Sequence, residues 1–173
     1  SGRAADGYLV NARVCLDLNS NLICDAGEPS ATTGAGGTYN LTATAEQKSQ
    51  FSVVVEVVKD QTTDEDTGSV VSASYTLTAP AGQAFVSPMT TLVSGTMRAN
   101  AALTVEQAAE RVRSSMSLPV NSDLLADFIA DNNSEVHAAA QNFAQVLGSA
   151  LESAQALAGD NGITDDDFSS VFN

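Results

Sequence analysis

Residues Asp17–Glu28 read DLNSNLICDAGE and set oxygen-bearing side chains at positions 1, 3, 5, 9 and 12 of a twelve-residue stretch. A loop wraps Ca²⁺ with this spacing, because a hard cation takes roughly six to eight oxygens and the chain must curl back to present them at alternate residues. Asp17, Asn19, Asn21 and Asp25 are the candidate side-chain ligands, directly or through water; Ile23 offers its carbonyl, and Glu28 closes the shell with two oxygens. Only three of these six carry charge, which points to modest affinity in a calcium-rich extracellular medium. Position 6, where glycine normally allows positive φ, is Leu22, so either the leucine is strained or the loop takes another path. An Asx-rich turn that needs no metal draws on the same residues, since Asn, Asp and Gly favour turns for local reasons.

The flanks decide what the loop joins. Tyr8, Val10, Ala12, Val14 and Leu16 alternate with Leu9, Asn11, Arg13 and Cys15. That is the period of a strand rather than of the helices that flank an EF-hand loop. Cys15 and Cys24, the only two cysteines, bracket the first half of the loop. A disulfide between them closes a short ring, stabilising by roughly 2 to 3 kcal/mol through chain entropy, and suits an oxidising compartment. Two buried free thiols are the alternative.

The run DGYLVNARVCLDLNSNLICDAGEPSATTGAGGTYNL, residues 6–41, resembles the start of a Cna-B or SdrD-B-like domain. It also resembles the related carboxypeptidase-regulatory-like (transthyretin-type) β-sandwiches of secreted bacterial proteins. In those families a first strand leads into a DxNxNxxxDxGEP loop, then a Thr-rich strand and a GxY strand, matched here by Thr32, Thr33, Gly37 and Tyr39. The stretch is similar, too, to the VCLDxNxNxxCDxGEP segment near the mature start of bacterial surface lipoproteins. The likeness spans roughly residues 6 to 85 and is specific mainly in its first 36. It implies an antiparallel β-sandwich and a place outside the cell. Some Cna-B-like domains form Lys–Asn isopeptide bonds; Lys48 and Lys59 sit in no such motif, so that chemistry is not carried over.

Composition agrees with export. The 173 residues carry 21 acidic against 7 basic side chains, a net charge of −14. Such a surface repels nucleic acid and anionic lipid and attracts cations. No apolar run approaches the ~18 to 20 residues of a membrane span. Ser1–Ala5 reads as the tail of a linker behind a removed signal or lipid anchor, giving an extracellular or outer-surface, bacterial setting.

Residues 6–86 are expected to form the Ca-binding β-sandwich. Phe51–Val58 (FSVVVEVV) is a dense β-branched run, and Val70–Leu77 (VVSASYTL) alternates, so the two should pair as a hairpin. Between them Asp60, Asp64, Glu65 and Asp66 crowd one turn; Asp60, Asp64 and Asp66 are a weaker second cation set, against a solvated hairpin tip.

Residues 87–173 read as a helical bundle of four or five helices. Ser87 and Pro88 open a helix carrying Met89, Leu92, Val93 and Met97, and Thr104 with Gln107 forms a capping box. Ser122 is expected to cap another helix bearing Leu124, Leu125, Phe128 and Ile129. Residues 135–158 place Val136, Ala140, Phe143, Leu147, Ala150, Ala154 and Leu157 on one stripe, suited to intramolecular packing or to an oligomer seam. GDNG (159–162) should stop that helix, and Thr164 with Asp165, Asp166 and Asp167 should start a short last one. The fold class expected is α+β, sandwich first and bundle second.

Catalytic signals are thin. His137 is the only histidine, and GKS, GKT and GxSxG are missing. Asp64 and Asp66 would suit glycoside hydrolysis only at a set separation, and there is no tryptophan to stack on a sugar. The expectation is a non-catalytic, calcium-stabilised extracellular or cell-surface module of adhesin, matrix or lipoprotein type. The alternatives are a peptide- or polysaccharide-binding module using Tyr8, Tyr39 or Tyr75, and an accessory domain of a larger secreted hydrolase.

Overall fold

The structure, a computed structural model, describes residues 1–161, with side chains through residue 150 and at Ser153. The helix expected at Thr164 to Asp167 lies outside the described residues, and the side chains of Ala154 and Leu157 lie outside the described side chains. The fold is mixed α+β. At its centre is an antiparallel sheet in the order β4 (Ser30–Thr32), β3 (Arg13–Asp17), β6 (Ser52–Val57), β9 (Tyr75–Ala79). Its register lines Val14, Val55 and Leu77 in one row and Leu16, Val53 and Ala79 in the next. All six side chains enter one core with Leu9, Ala12, Leu41 and Tyr75. Each large apolar side chain buried there stabilises by about 1.5 to 3 kcal/mol relative to exposure.

The alternation expected over residues 8–16 breaks once. Asn11 adopts φ 63 between β2 (Leu9–Val10) and β3, so the phase shifts and Leu9 is fully buried on the core side. Thr33 holds the break, its Oγ1 accepting from Ala12 N–H at 2.9 Å and its carbonyl from Asn11 N–H at 2.9 Å.

The hairpin expected from Phe51–Val58 and Val70–Leu77 is corrected in its second arm. β6 pairs with β9, displaced toward the C-terminus, while β7 (Thr63–Asp64) and β8 (Ser69–Val70) form a small separate sheet with β2. Val70 is half exposed and gains little burial that would draw it into the central sheet.

Two further elements depart from the expectations. Residues Ser1–Ala5, read as linker, contain β1 (Gly2–Ala4), which pairs parallel with β10 (Phe85–Val86) and antiparallel with β5 (Thr38–Tyr39). Inside the stretch read as all β lies α1 (Ala45–Gln50), whose Thr44–Gln47 capping box closes a turn with no buried residue. A turn whose only apolar residue is Ala45 leaves no apolar period to read.

Helices α2 (Pro88–Ala99) and α3 (Val105–Ser115) start at the expected capping boxes, and α4 (Ser134–Asn161) covers the expected segment and continues through Asn161. No helix forms at Ser122. Asp123 Oδ1 accepts from Leu125 N–H, and Asp127 Oδ1 from Ile129 and Ala130 N–H, so the aspartates hold this segment as turns. Three helices therefore follow residue 86 among the described residues, the one expected at Ser122 being replaced by turns. They share a second core built from Met89, Val93, Val112, Phe128 and Val136, joined by Ala5, just past β1, and by Phe85 of β10. Ala144 and Leu147 of α4 lie against the sheet core in return.

Gly37 sits at φ 64, and a Cβ there would strike the carbonyl of Ala4 in β1. Gly37→Ala should therefore lower unfolding free energy by about 2 kcal/mol. Urea denaturation measures it, and a loss below ~0.5 kcal/mol would show that β1 does not depend on this close approach.

Candidate functional site

Strand β3 delivers successive residues to three surroundings. Leu16 enters the main core, Cys15 points to the opposite face of the sheet, and Asp17 turns into the loop. Only 1 % of Asp17 is exposed, and its two carboxylate oxygens accept from the N–H groups of Asn21 at 3.2 Å and Leu22 at 2.9 Å. Glu28 closes the other end, accepting from Leu18 N–H at 2.7 Å and Asp25 N–H at 3.0 Å. Hydrogen bonds of this charge-assisted kind are about twice as strong as neutral ones.

Between these ends the side chains converge. Asn19 and Asn21 both donate to Asp25 Oδ2, at 2.7 and 2.8 Å. These two bonds, Asn19 first, hold the Asp25 carboxyl below the usual carboxylate range; slight desolvation opposes them and the charge of Arg13 adds to them. Asn19 Oδ1 accepts from Asn21 N–H, and Asn21 Oδ1 from Ile23 N–H at 2.9 Å. Arg98, at the end of α2, feels the loop as well: partial desolvation lowers its pKa and the charge of Asp17 raises it.

Leu22 takes φ 63, the left-handed backbone that such loops reserve for glycine at this position. For a leucine this costs about 1 to 2 kcal/mol. Its side chain recovers part of that by packing on the cluster of Cys15, Cys24 and Val54. Cys15 and Cys24 are joined in a disulfide with a Cα separation of 5.5 Å, so the loop is tied to the outer face of β3 and β6.

One contributor escaped the sequence reading. Glu56, the only acid in β6, accepts from Cys24 N–H through Oε1 at 2.8 Å, while Oε2 lies 3.9 Å from Arg13. An isolated charge in an apolar strand was the available signal, since such a residue needs a partner where it lands.

Among the described residues, no group of three or more His, Cys, Asp and Glu side chains is assembled to hold a metal. The loop's donor chemistry nevertheless fits a hard cation. The engaged carboxylate oxygens of Asp17 and Glu28 each accept one of these bonds and keep a lone pair, and a half-turn of the Asn19 or Asn21 amide would free one on Asp25 Oδ2 and present oxygen where it now presents N–H. The acids of the second set are placed differently. Asp60 is exposed, Asp64 Oδ1 accepts from Asp66 N–H, and Asp66 Oδ2 lies 2.6 Å from His137 Nε2 and accepts from Gln141 Nε2 at 3.0 Å.

The tyrosines do not form an exposed stacking platform. Tyr39 is buried and donates to Ala84 O at 2.6 Å, Tyr75 is buried against Asp6, and the hydroxyl of half-buried Tyr8 donates to Asp127 at 2.9 Å. No family model, curated protein or solved structure matches the chain.

Replacing both cysteines with serine should cost roughly 2 to 3 kcal/mol, and Glu56→Ala about 1 to 2 kcal/mol. The combined loss should fall short of their sum, because a released Cys24 no longer presents its N–H to Glu56. A urea double-mutant cycle reads this; additivity within ~0.3 kcal/mol would mean that the clamp and Glu56 act separately.

Proposed function

We propose that this chain is a non-catalytic module of the cell exterior whose Asp17–Glu28 loop binds Ca²⁺ in a structural role. One observation carries the reading: Asn19, Asn21 and Asp25 converge on a single point inside a loop closed from both ends by Asp17 and Glu28. Asp17, Asn19, Asn21, Asp25 and Glu28 would supply side-chain oxygens and Ile23 its carbonyl. Bound there, the ion offsets two of the loop's three negative charges in a chain of net −14 and replaces the amide hydrogens now shielding Asp25.

The Cys15–Cys24 disulfide supports an oxidising, extracellular compartment, since such bonds rarely persist in a reducing cytosol. The Cna-B-like reading of residues 6–86 extends this to a sandwich-type spacer or presenting element of a surface lipoprotein, adhesin or matrix protein. Its support is the DxNxNxxxDxGEP stretch with the Thr-rich and GxY segments that follow it. The acidic surface disfavours nucleic acid as a partner. No helix among the described residues is long and apolar enough to cross a membrane.

Saturating calcium at about a hundred times its dissociation constant should stabilise the demetallated protein by about 2.7 kcal/mol, raising Tm by on the order of 8 °C. EDTA should reverse the rise, and Asp25→Asn combined with Glu28→Gln should abolish it. Melting curves indifferent to both calcium and EDTA would sink the proposal; an undiminished rise in the double variant would move the ion elsewhere.

A further inference from the structure

Asp6 lies just after β1, with only 9 % of its surface exposed. Its Oδ2 accepts from the Tyr75 hydroxyl at 3.1 Å, and its buried Oδ1 has no hydrogen-bond partner. Among the described residues it is the only carboxylate in that position. A buried ionised oxygen with no donor is costly, so the group is held neutral or another charge must cover it.

The neighbouring charges are negative. A Cβ on Gly7 would strike Asp64 Oδ1 and come within 2.7 Å of Asp66 Cγ, so both carboxylates lie directly over the residue beside Asp6. Glu65, between them, is turned away, its N–H on Tyr8 O and its carboxylate accepting from Gly36 N–H. Burial pushes the Asp6 carboxyl up to about 7 against the Tyr75 hydrogen bond, and the charges of Asp64 and Asp66 add to the rise. Burial raises Asp64 as well, and it raises Tyr75 further from ionisation.

From above, α4 grips the same turn. His137 Nε2 lies 2.6 Å from Asp66 Oδ2, and Gln141 donates to that oxygen at 3.0 Å. Asp6, Asp64, Asp66, Tyr75 and His137 thus stack from the sheet core to the helix.

We infer that Asp6 is the proton-carrying element of a clasp fastening α4 to the sheet. With Asp6 neutral, the Asp64–Asp66 turn sits over Gly7 and offers Asp66 to His137 and Gln141. Loss of the Asp6 proton to solvent places a third negative charge beneath that turn, which lifts and loosens the first turns of α4. The sign follows from linkage: the native carboxyl binds its proton more tightly than the unfolded one, so its stabilisation is complete in acid. It is lost as pH rises from the ordinary carboxylate range to about 7. The clasp is closed in acid and opens toward alkaline pH. Asp25, whose shift is downward, acts only below its ordinary range, outside this window.

The test uses the intact chain between pH 5 and pH 8. Wild-type Tm should fall by on the order of 5 °C across that range, and hydrogen-exchange protection of α4 amides from 134 to 150 should fall with it. Asp6→Asn keeps an acceptor for Tyr75 and places N–H₂ where Oδ1 is unpartnered; it should remove at least half of both losses. Asp66 and His137 are unchanged in that comparison. An equal fall in Asp6→Asn, or no fall in wild type, overturns the clasp. If Asp6→Asn fails to fold, ¹³C NMR of the wild-type Asp6 carboxyl decides. A midpoint near 7 supports the clasp, and one below 5 overturns it.

Discussion

Strand β6 is covered on both faces, and the candidate site depends on that. Val53, Val55 and Val57 fill the main core, while Val54 and Glu56 look out through the opposite face. An outward valine and glutamate would be a liability in an open sheet. Here Val54 seats the Cys15–Cys24 bridge and Glu56 holds the Cys24 backbone, so the loop is a lid on the sheet as well as a connection between β3 and β4. Burial of the strand and shaping of the loop are one interaction seen from two sides.

The charge distribution sharpens this. In a chain with three times as many acids as bases, several of the cations are engaged away from the loop: Arg3 with Asp127, Arg113 with Glu110, and Arg13 with Glu56 below it. The hydrogen bonds to Asp17, Asp25 and Glu28 come from backbone N–H groups and two amides, while Arg13 and Arg98 act on Asp25 and Asp17 through charge alone. Partial charges can shape such a loop, but they neutralise it poorly.

Features fixed by neighbouring residues were legible in the sequence. The caps at Ser87 and Thr104, the Pro88 start, the buried run of β6 and the cysteine pair each follow from contacts within a few residues or from burial agreeing with propensity. The loop's spacing was legible too; the path through Leu22 was not, because a left-handed leucine is sustained by packing on a cluster that includes Val54, 32 residues away in the chain. Asn11 broke an alternation that looked continuous, for want of any local mark beyond an asparagine. The turns at Asp123 and Asp127 replaced a helix because both side chains could bond the backbone in either conformation. β1 and Asp6 were the least accessible, since their partners at Phe85 and Tyr75 are joined only when the chain closes on itself.

The bridge from Cys15 to Cys24 also alters what a broken chain would be. Backbone scission anywhere between those residues leaves both halves covalently linked, with Cys15 still in β3 and Cys24 still seated on Val54. In surroundings rich in proteases, the exposed tip at Asn19 and Ser20 is therefore a place where damage need not become separation. Only cleavage followed by reduction would part the two pieces.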